Sequence, residues 1–136
     1  MIRSRSWWRL LPLLTVMAVI FFLSHQPGDS FELPDLPDID KLLHSLVYGV
    51  LAATALFAVP SACTSRRPWL TMVLVVLFCL AYGTSDEFHQ SFVPGRTPSA
   101  WDLAADTLGA VLVCAGWYLL GRQGRRGRQG WVRHVR

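Results

Sequence analysis

The sequence predicts an all-α fold: an integral membrane four-helix bundle with both termini on the cytoplasmic side (N-in/C-in). Three observations predict it. Only 16% of the 136 residues are charged and 52% are hydrophobic, whereas a soluble domain carries about 25% charged residues. Four apolar runs, separated by short polar connections, approach the ~20 residues that cross a bilayer. The charges are also sorted along the chain. All nine acids lie in the 29–40 loop, in the pair Asp86-Glu87, or at the start of the last run. Most of the thirteen basic residues lie elsewhere, at the amino terminus, at Arg66-Arg67 and in the tail.

The first run, Trp7 to Leu23, follows three Arg. The absence of a small-x-small cleavage site after it argues for a retained helix over a signal peptide. Pro12 falls in its first turns, where a missing N–H costs little, and Trp7 and Trp8 suit the headgroup zone. His25 to Ile39 follows with three Pro, one Gly and four acids, and has no helical period. A solvated acidic loop explains it better than a metal site at His25 and the acids, whose spacing matches no ligand motif.

The second run spans Asp40 to Val59, with Asp40 as N-cap and Pro60 as its stop. Lys41, His44 and Tyr48 join Asp40 in one polar stripe at helical spacing. Gly49, Ala52 and Ala53 permit close helix approach. Ser61 to Arg67 reads as a short basic connection. The third run begins at Pro68. Ending it at Tyr82 would leave about 15 residues, too short to span ~30 Å. The helix is therefore expected to reach about Gln90, which brings Asp86 and Glu87 to the membrane edge with Gln90 one turn beyond. Pro94-Gly95-Arg96 marks a turn. Ser99 is the expected N-cap of the fourth run, with Asp102 as its capping-box acid and Asp106 one turn deeper. That run extends to Leu120. The remaining basic tail is expected to be disordered or spread on an anionic leaflet. No nucleic-acid-reading module accompanies it, so nucleic acid is not an expected partner. Cys63, Cys79 and Cys114 fit neither a disulfide framework nor a metal motif.

The positive-inside rule places the basic ends and the 61–67 connection in the cytoplasm. Every acid, with Lys41, His44, Gln90 and Arg96, then falls in the outer half. Ionisable groups at membrane depth are costly and suggest a functional site. Caps and structural ion pairs, including an Arg96–carboxylate fork, are the alternative. Three functions compete. In an enzyme, His44, Glu87 and Asp86 carry the chemistry, while Lys41, Asp40, Tyr48, Gln90, Arg96, Asp102 and Asp106 bind. Here Arg96 and Lys41 hold an anionic headgroup, and Asp86, Glu87 and Asp106 are one conceivable Mg²⁺ or Ca²⁺ set. Ser45, Ser85 and Ser91 are nucleophile candidates by nearness alone. A non-catalytic binder needs the same residues without a tuned base. A transporter would place polar groups at the midplane, whereas here they crowd one edge. No cofactor is specified.

Asp40-Lys41-x-x-His44-x-x-x-Tyr48 resembles the first motif of the VanZ-like family. Asp86-Glu87-x-x-Gln90-x-Phe92-x-Pro94-Gly95-Arg96, then Asp102 and Asp106-Thr107-Leu108-Gly109, resembles the second. The family commonly has Asn where this chain has Asp106, which adds a titratable group. The resemblance implies a small multi-pass protein of the bacterial cytoplasmic membrane. It also implies a link to envelope biology and to low-level teicoplanin resistance, but no known reaction. The chain is thus expected to comprise an N-terminal transmembrane helix with a basic leader (1–24), a VanZ-like domain with three further spans (25–120) and a basic tail (121–136). Its expected partners are the lipid bilayer and an anionic lipid or cell-wall precursor headgroup, met at an outward-facing site.

Overall fold

The computed structural model describes residues 7–28 and 38–134, with side chains described to Gly121. A 3-10 turn, Trp7–Leu10, leads into α1 (Leu11–Ser24). There follow α2 (Ile39–Ala58), α3 (Ser61–Arg66), α4 (Pro68–Gln90) and α5 (Ala100–His134). No strand occurs among the described residues. Four segments are long and apolar enough to cross a membrane: Trp7–Ser24, Ile39–Ala58, Pro68–Gln90 and Ala100–Gly121. At ~1.5 Å per residue, α4 is roughly 34 Å long, enough for the ~30 Å hydrocarbon layer.

The interior mixes small and polar groups with a few large apolar side chains, whereas many large apolar side chains face outward. Tyr48, Leu51, Ala52, Ala55, Cys79, Ala110 and Cys114 form the buried centre. Phe22, Leu46, Leu77, Phe88, Leu112 and Leu120 point outward. In water such a surface would be unstable, whereas in lipid it is the expected one. Trp7, Trp8, Trp69 and Trp101 are exposed near helix ends, as in interfacial aromatic belts.

Helix α2 packs most extensively against α5, and α4 also packs on both. Helix α1 lies against α2 and α4 but not against α5. The α2–α5 approach depends on glycine. A Cβ at Gly109 would run into the Ser45 carbonyl, and one at Gly49 would sit 3.3 Å from Val113 Cγ2. Tyr82 ties α4 to α1 by donating its hydroxyl to the Met17 carbonyl at 2.7 Å.

Several local expectations change. Helix α2 begins at Ile39, with Asp38 as the N-cap residue in the left-handed region (φ 57°) and no side-chain cap. Asp40 is therefore inside the first turn, and its carboxylate is drawn to Lys41 at 2.9 Å. The 61–67 connection is largely helical as α3, started after Pro60, where the Cys63 and Thr64 amides bond the Pro60 carbonyl. Helix α5 does not end near Leu120 in a disordered tail but continues to His134. Gly121, Gly124, Gly127 and Gly130 disfavour a helix here, but Arg and Gln favour one, and extension from a span already formed avoids a new nucleation cost. The acids at 29, 32 and 35 lie outside the described residues.

Candidate functional site

The carboxyl ends of α1 and α4 meet the amino ends of α2 and α5. The turn between α4 and α5 closes this end of the bundle. The Val93 carbonyl accepts from the Arg96 amide at 3.2 Å, and Gly95 has φ 74°. Pro at the second position and a left-handed Gly at the third describe a type II turn. The segment after α1 rests on it, with the Gly28 amide donating to the Pro94 carbonyl at 3.2 Å. A Cβ at Gly28 would collide with the Gly95 carbonyl, so the two loops touch backbone to backbone.

Two polar clusters form inside this end. In the first, Asp86 Oδ2 accepts from Ser24 Oγ at 2.7 Å and from Gln90 Nε2 at 2.9 Å. All three residues are buried. Gln90 reaches Asp86 because they are i, i+4 on α4, and Ser24 reaches it because α1 ends at the same level. In the second cluster, His44 Nδ1 and Asp106 Oδ1 are hydrogen-bonded at 3.0 Å. Asp106 is only 1% exposed. Glu87 completes this group: His44, Glu87 and Asp106 each present a donor atom within 4.8 Å of the others. Gly83 makes the room, since a Cβ there would stand 3.1 Å from Asp106 Oδ2 and 3.3 Å from the Tyr48 ring.

Glu87 also holds the start of α5. Its Oε2 accepts the Ser99 amide at 2.7 Å, while Ser99 Oγ accepts the Trp101 amide at 3.2 Å. Ser99 is thus the N-cap, but the acid that bonds its amide comes from α4. Asp102, the expected capping-box acid, instead lies 3.9 Å from Lys41 Nζ. A buried carboxylate already in place leaves no open donor for the shorter Asp arm. Glu87 Oε1, Asp102 Oδ1 and the Tyr48 hydroxyl are buried without a hydrogen-bond partner.

Arg96 is not in a carboxylate fork. Its Nε donates to the Gln26 carbonyl and its Nη2 to the Leu23 carbonyl, both at 3.1 Å. The last carbonyls of a helix lack intrahelical partners and attract a cation, so Arg96 caps α1. Among the described residues no ion pair includes Arg96; Lys41 is paired with Asp40 and lies near Asp102.

A cavity of about 350 Å³ opens between α1, α2 and α4. Ile20, Leu23, Leu43 and Val47 give it an apolar wall; Ser24, Asp40, His44, Tyr48, Asp86, Gln90 and Arg96 supply polar groups. His44 belongs to both the cavity and the buried cluster. The volume is near the lower end for ligand sites, so it suits a headgroup or a short stretch of chain rather than a whole lipid.

The structure therefore brings Asp40, Lys41, His44, Tyr48, Asp86, Glu87, Gln90, Arg96, Asp102 and Asp106 to one end of the bundle. However, it separates Asp86 from Glu87 and Asp106, the three residues named as one conceivable metal set. Asp86 is engaged by Ser24 and Gln90, and His44 takes its place beside Glu87 and Asp106. Sequence reasoning missed Ser24, whose one signal is a hydroxyl residue at the end of an apolar run. It also missed the exposed pair His25 and His89, whose Nδ1 and Nε2 lie 3.2 Å apart. Nothing in their spacing of 64 residues announces that contact. Of the serine candidates, Ser85 and Ser91 are exposed, and their hydroxyls bond the carbonyls of Tyr82 and Phe88 on their own helix.

No curated protein and no solved structure matches the chain. The VanZ/LLP1 family model matches residues 9–121, a stretch that holds both polar clusters, the last three spans and all but the first two residues of the first span. Over most of its length, and with four helices fit to cross a membrane, the chain belongs to the VanZ/LLP1 family.

Proposed function

We infer that this multi-pass membrane protein acts at the outer face of the bacterial cytoplasmic membrane, where it binds the polar end of an anionic lipid-linked or cell-wall precursor. The observation that carries this reading is the split lining of the cavity. Apolar Ile20, Leu43 and Val47 lie beside His44, Asp86 and Gln90 at the level where four helices begin or end. An amphipathic molecule has that same division. With about 350 Å³ available, the headgroup enters and the hydrocarbon stays along the lipid-facing surface. The outward orientation rests on the arginines near the amino terminus, at Arg66-Arg67 and in the 122–136 stretch, read by the positive-inside rule. A contribution to teicoplanin-type glycopeptide resistance belongs to this reading, because that drug targets envelope precursors.

His44 and Glu87 are the residues assigned to chemistry, with Asp106 orienting His44. Asp86, already held by two neutral donors, shapes the cavity. Ser45 remains among the serine candidates, whereas Ser85 and Ser91 are disfavoured as nucleophiles, since their hydroxyls donate to carbonyls of their own helix. That same observation keeps a non-catalytic binder, or an accessory subunit of an envelope enzyme, as the second reading.

Native mass spectrometry of the detergent-purified chain, with a polyprenyl diphosphate and with phosphatidylcholine, tests the binding. Retention of the first alone supports the reading, and equal retention of both defeats it. Drug sensitivity of cells carrying Glu87→Gln then separates the two alternatives. Lost resistance with retained binding favours catalysis, and retention of both favours the binder.

A further inference from the structure

We propose that His44, Glu87 and Asp106 bind one first-row divalent cation, Zn²⁺ or Mn²⁺, which bridges to the anionic headgroup. The inference rests on the reading above for the ion's purpose but not for its presence.

The donor set comes first. One imidazole and two carboxylates approach from α2, α4 and α5, with donor atoms within 4.8 Å of one another. Donor atoms around an ion bonded at ~2.1 Å sit about 3.0–3.4 Å apart, so the widest separation has to contract by roughly 1.4–1.8 Å to complete the site, while the His44–Asp106 pair already stands at 3.0 Å. An imidazole favours Zn²⁺ over Mg²⁺ or Ca²⁺, and paired carboxylates also suit Mn²⁺.

The second observation is independent of that grouping. Glu87 is 9% exposed, and its Oε1 is buried without a hydrogen-bond partner. Its other oxygen is occupied by the Ser99 amide. A buried carboxylate oxygen with nothing to accept is costly. No side-chain cation answers it: Lys41 is turned to Asp40 and Asp102, and Arg96 to two carbonyls.

The third observation is charge. Among the described residues at this end of the bundle, Asp38, Asp40, Asp86, Glu87, Asp102 and Asp106 stand against only Lys41 and Arg96. A phosphate placed in the cavity would meet net negative charge in a medium where that repulsion is poorly screened. A divalent ion at His44 both neutralises the buried carboxylates and offers an open coordination position to a phosphate oxygen. His44 is suited to the bridge because it lines the cavity while touching Asp106.

The full-length protein in detergent, stripped with a chelator, is titrated with ZnCl₂ and MnCl₂ by calorimetry without lipid. Pulsed electron paramagnetic resonance of the Mn²⁺ form follows. One ion per chain, with nitrogen coupling from an imidazole, is expected. Glu87→Gln and Asp106→Asn each weaken binding by about tenfold or more, His44→Ala abolishes the nitrogen signal, and Asp86→Asn changes affinity by less than about threefold. The wild-type spectrum needs no variant, so an unstable variant does not spoil the test. Absence of stoichiometric binding, or a bound ion without imidazole nitrogen, overturns the site. If the ion binds and polyprenyl diphosphate does not, the site stands and the lipid reading fails; lipid retained without the ion is the converse.

Discussion

His44 on α2 and Asp106 on α5 lie 62 residues apart in sequence and 3.0 Å apart in space, Nδ1 to Oδ1. The contact joins the two polar motifs of the chain at the best-packed helix pair. Asp106 is 1% exposed, so its charge depends on this neighbour. Removing one member of a buried pair costs about 3–5 kcal/mol, while apolar replacement of both is far milder. His44→Leu should therefore destabilise strongly, and the double change His44→Leu with Asp106→Leu should recover much of the loss. Unfolding midpoints in detergent, read by tryptophan fluorescence, provide the check. A double variant no better than the single one would refute the coupling.

The Ser24 hydroxyl binds the buried Asp86 carboxylate at 2.7 Å. A hydrogen bond to a charged group contributes about 1.5–3 kcal/mol. Ser24→Ala should cost that much stability, and Ser24→Thr, which keeps the hydroxyl, should cost less. Equal loss in both would assign the effect to packing instead.

Gly109 faces the Ser45 carbonyl with no space for a Cβ, whereas Gly116 has nothing within 4 Å of one. Gly109→Ala must push α2 and α5 apart, and overpacking of this kind costs about 1–3 kcal/mol. Gly116→Ala should be neutral or gain up to about 1 kcal/mol from helix propensity. Comparing the two unfolding curves isolates close approach from the general effect of adding a methyl group.

Arg96 holds the Leu23 and Gln26 carbonyls at 3.1 Å each. Arg96→Ala should free the end of α1, and Arg96→Lys should only partly compensate, because one ammonium cannot present the same fork. Hydrogen exchange at the carboxyl end of α1 should rise in the order wild type, Lys, Ala. Unchanged exchange in the Ala variant would show that α1 is held by its helix contacts alone.

Cys63 is exposed on α3, while Cys79 and Cys114 are buried. A membrane-impermeant maleimide should leave intact cells unlabelled and react with Cys63 after permeabilisation. Thr97, exposed in the turn between α4 and α5, should label from outside as Thr97→Cys in a Cys63→Ser background. The opposite pattern would reverse the proposed orientation.

Much of this arrangement was legible in the residue pattern. The length needed to span lipid required α4 to reach Gln90, and helical spacing then paired Gln90 with Asp86. Ser99 read correctly as a cap because capping is local. What periodicity specifies is a face, not the neighbour that meets it. Glu87 displaced Asp102 as the acid on the Ser99 amide because helix packing delivered it there. Arg96 was expected among carboxylates, yet unsatisfied carbonyls at the end of α1 claimed it. Ser24 could not be ranked above other serines until α1 and α4 were seen to end side by side. Asp86 and Glu87 separate for the same reason: they are adjacent in sequence, but a helix turns them toward different partners.

The glycine contact between α2 and α5 has a mechanical corollary. With backbone pressed on backbone, those two rods have no slack to slide or splay, so His44, Asp102 and Asp106 ride on a single stiff frame. Helix α1 packs on α2 and α4 but not on α5, and its carboxyl end is held by the Arg96 guanidinium, the Ser24–Asp86 hydrogen bond and the backbone contact of Gly28 with Pro94. Widening the hollow between α1, α2 and α4 therefore has to leave the α2–α5 pair intact and break contacts of α1 or α4 instead.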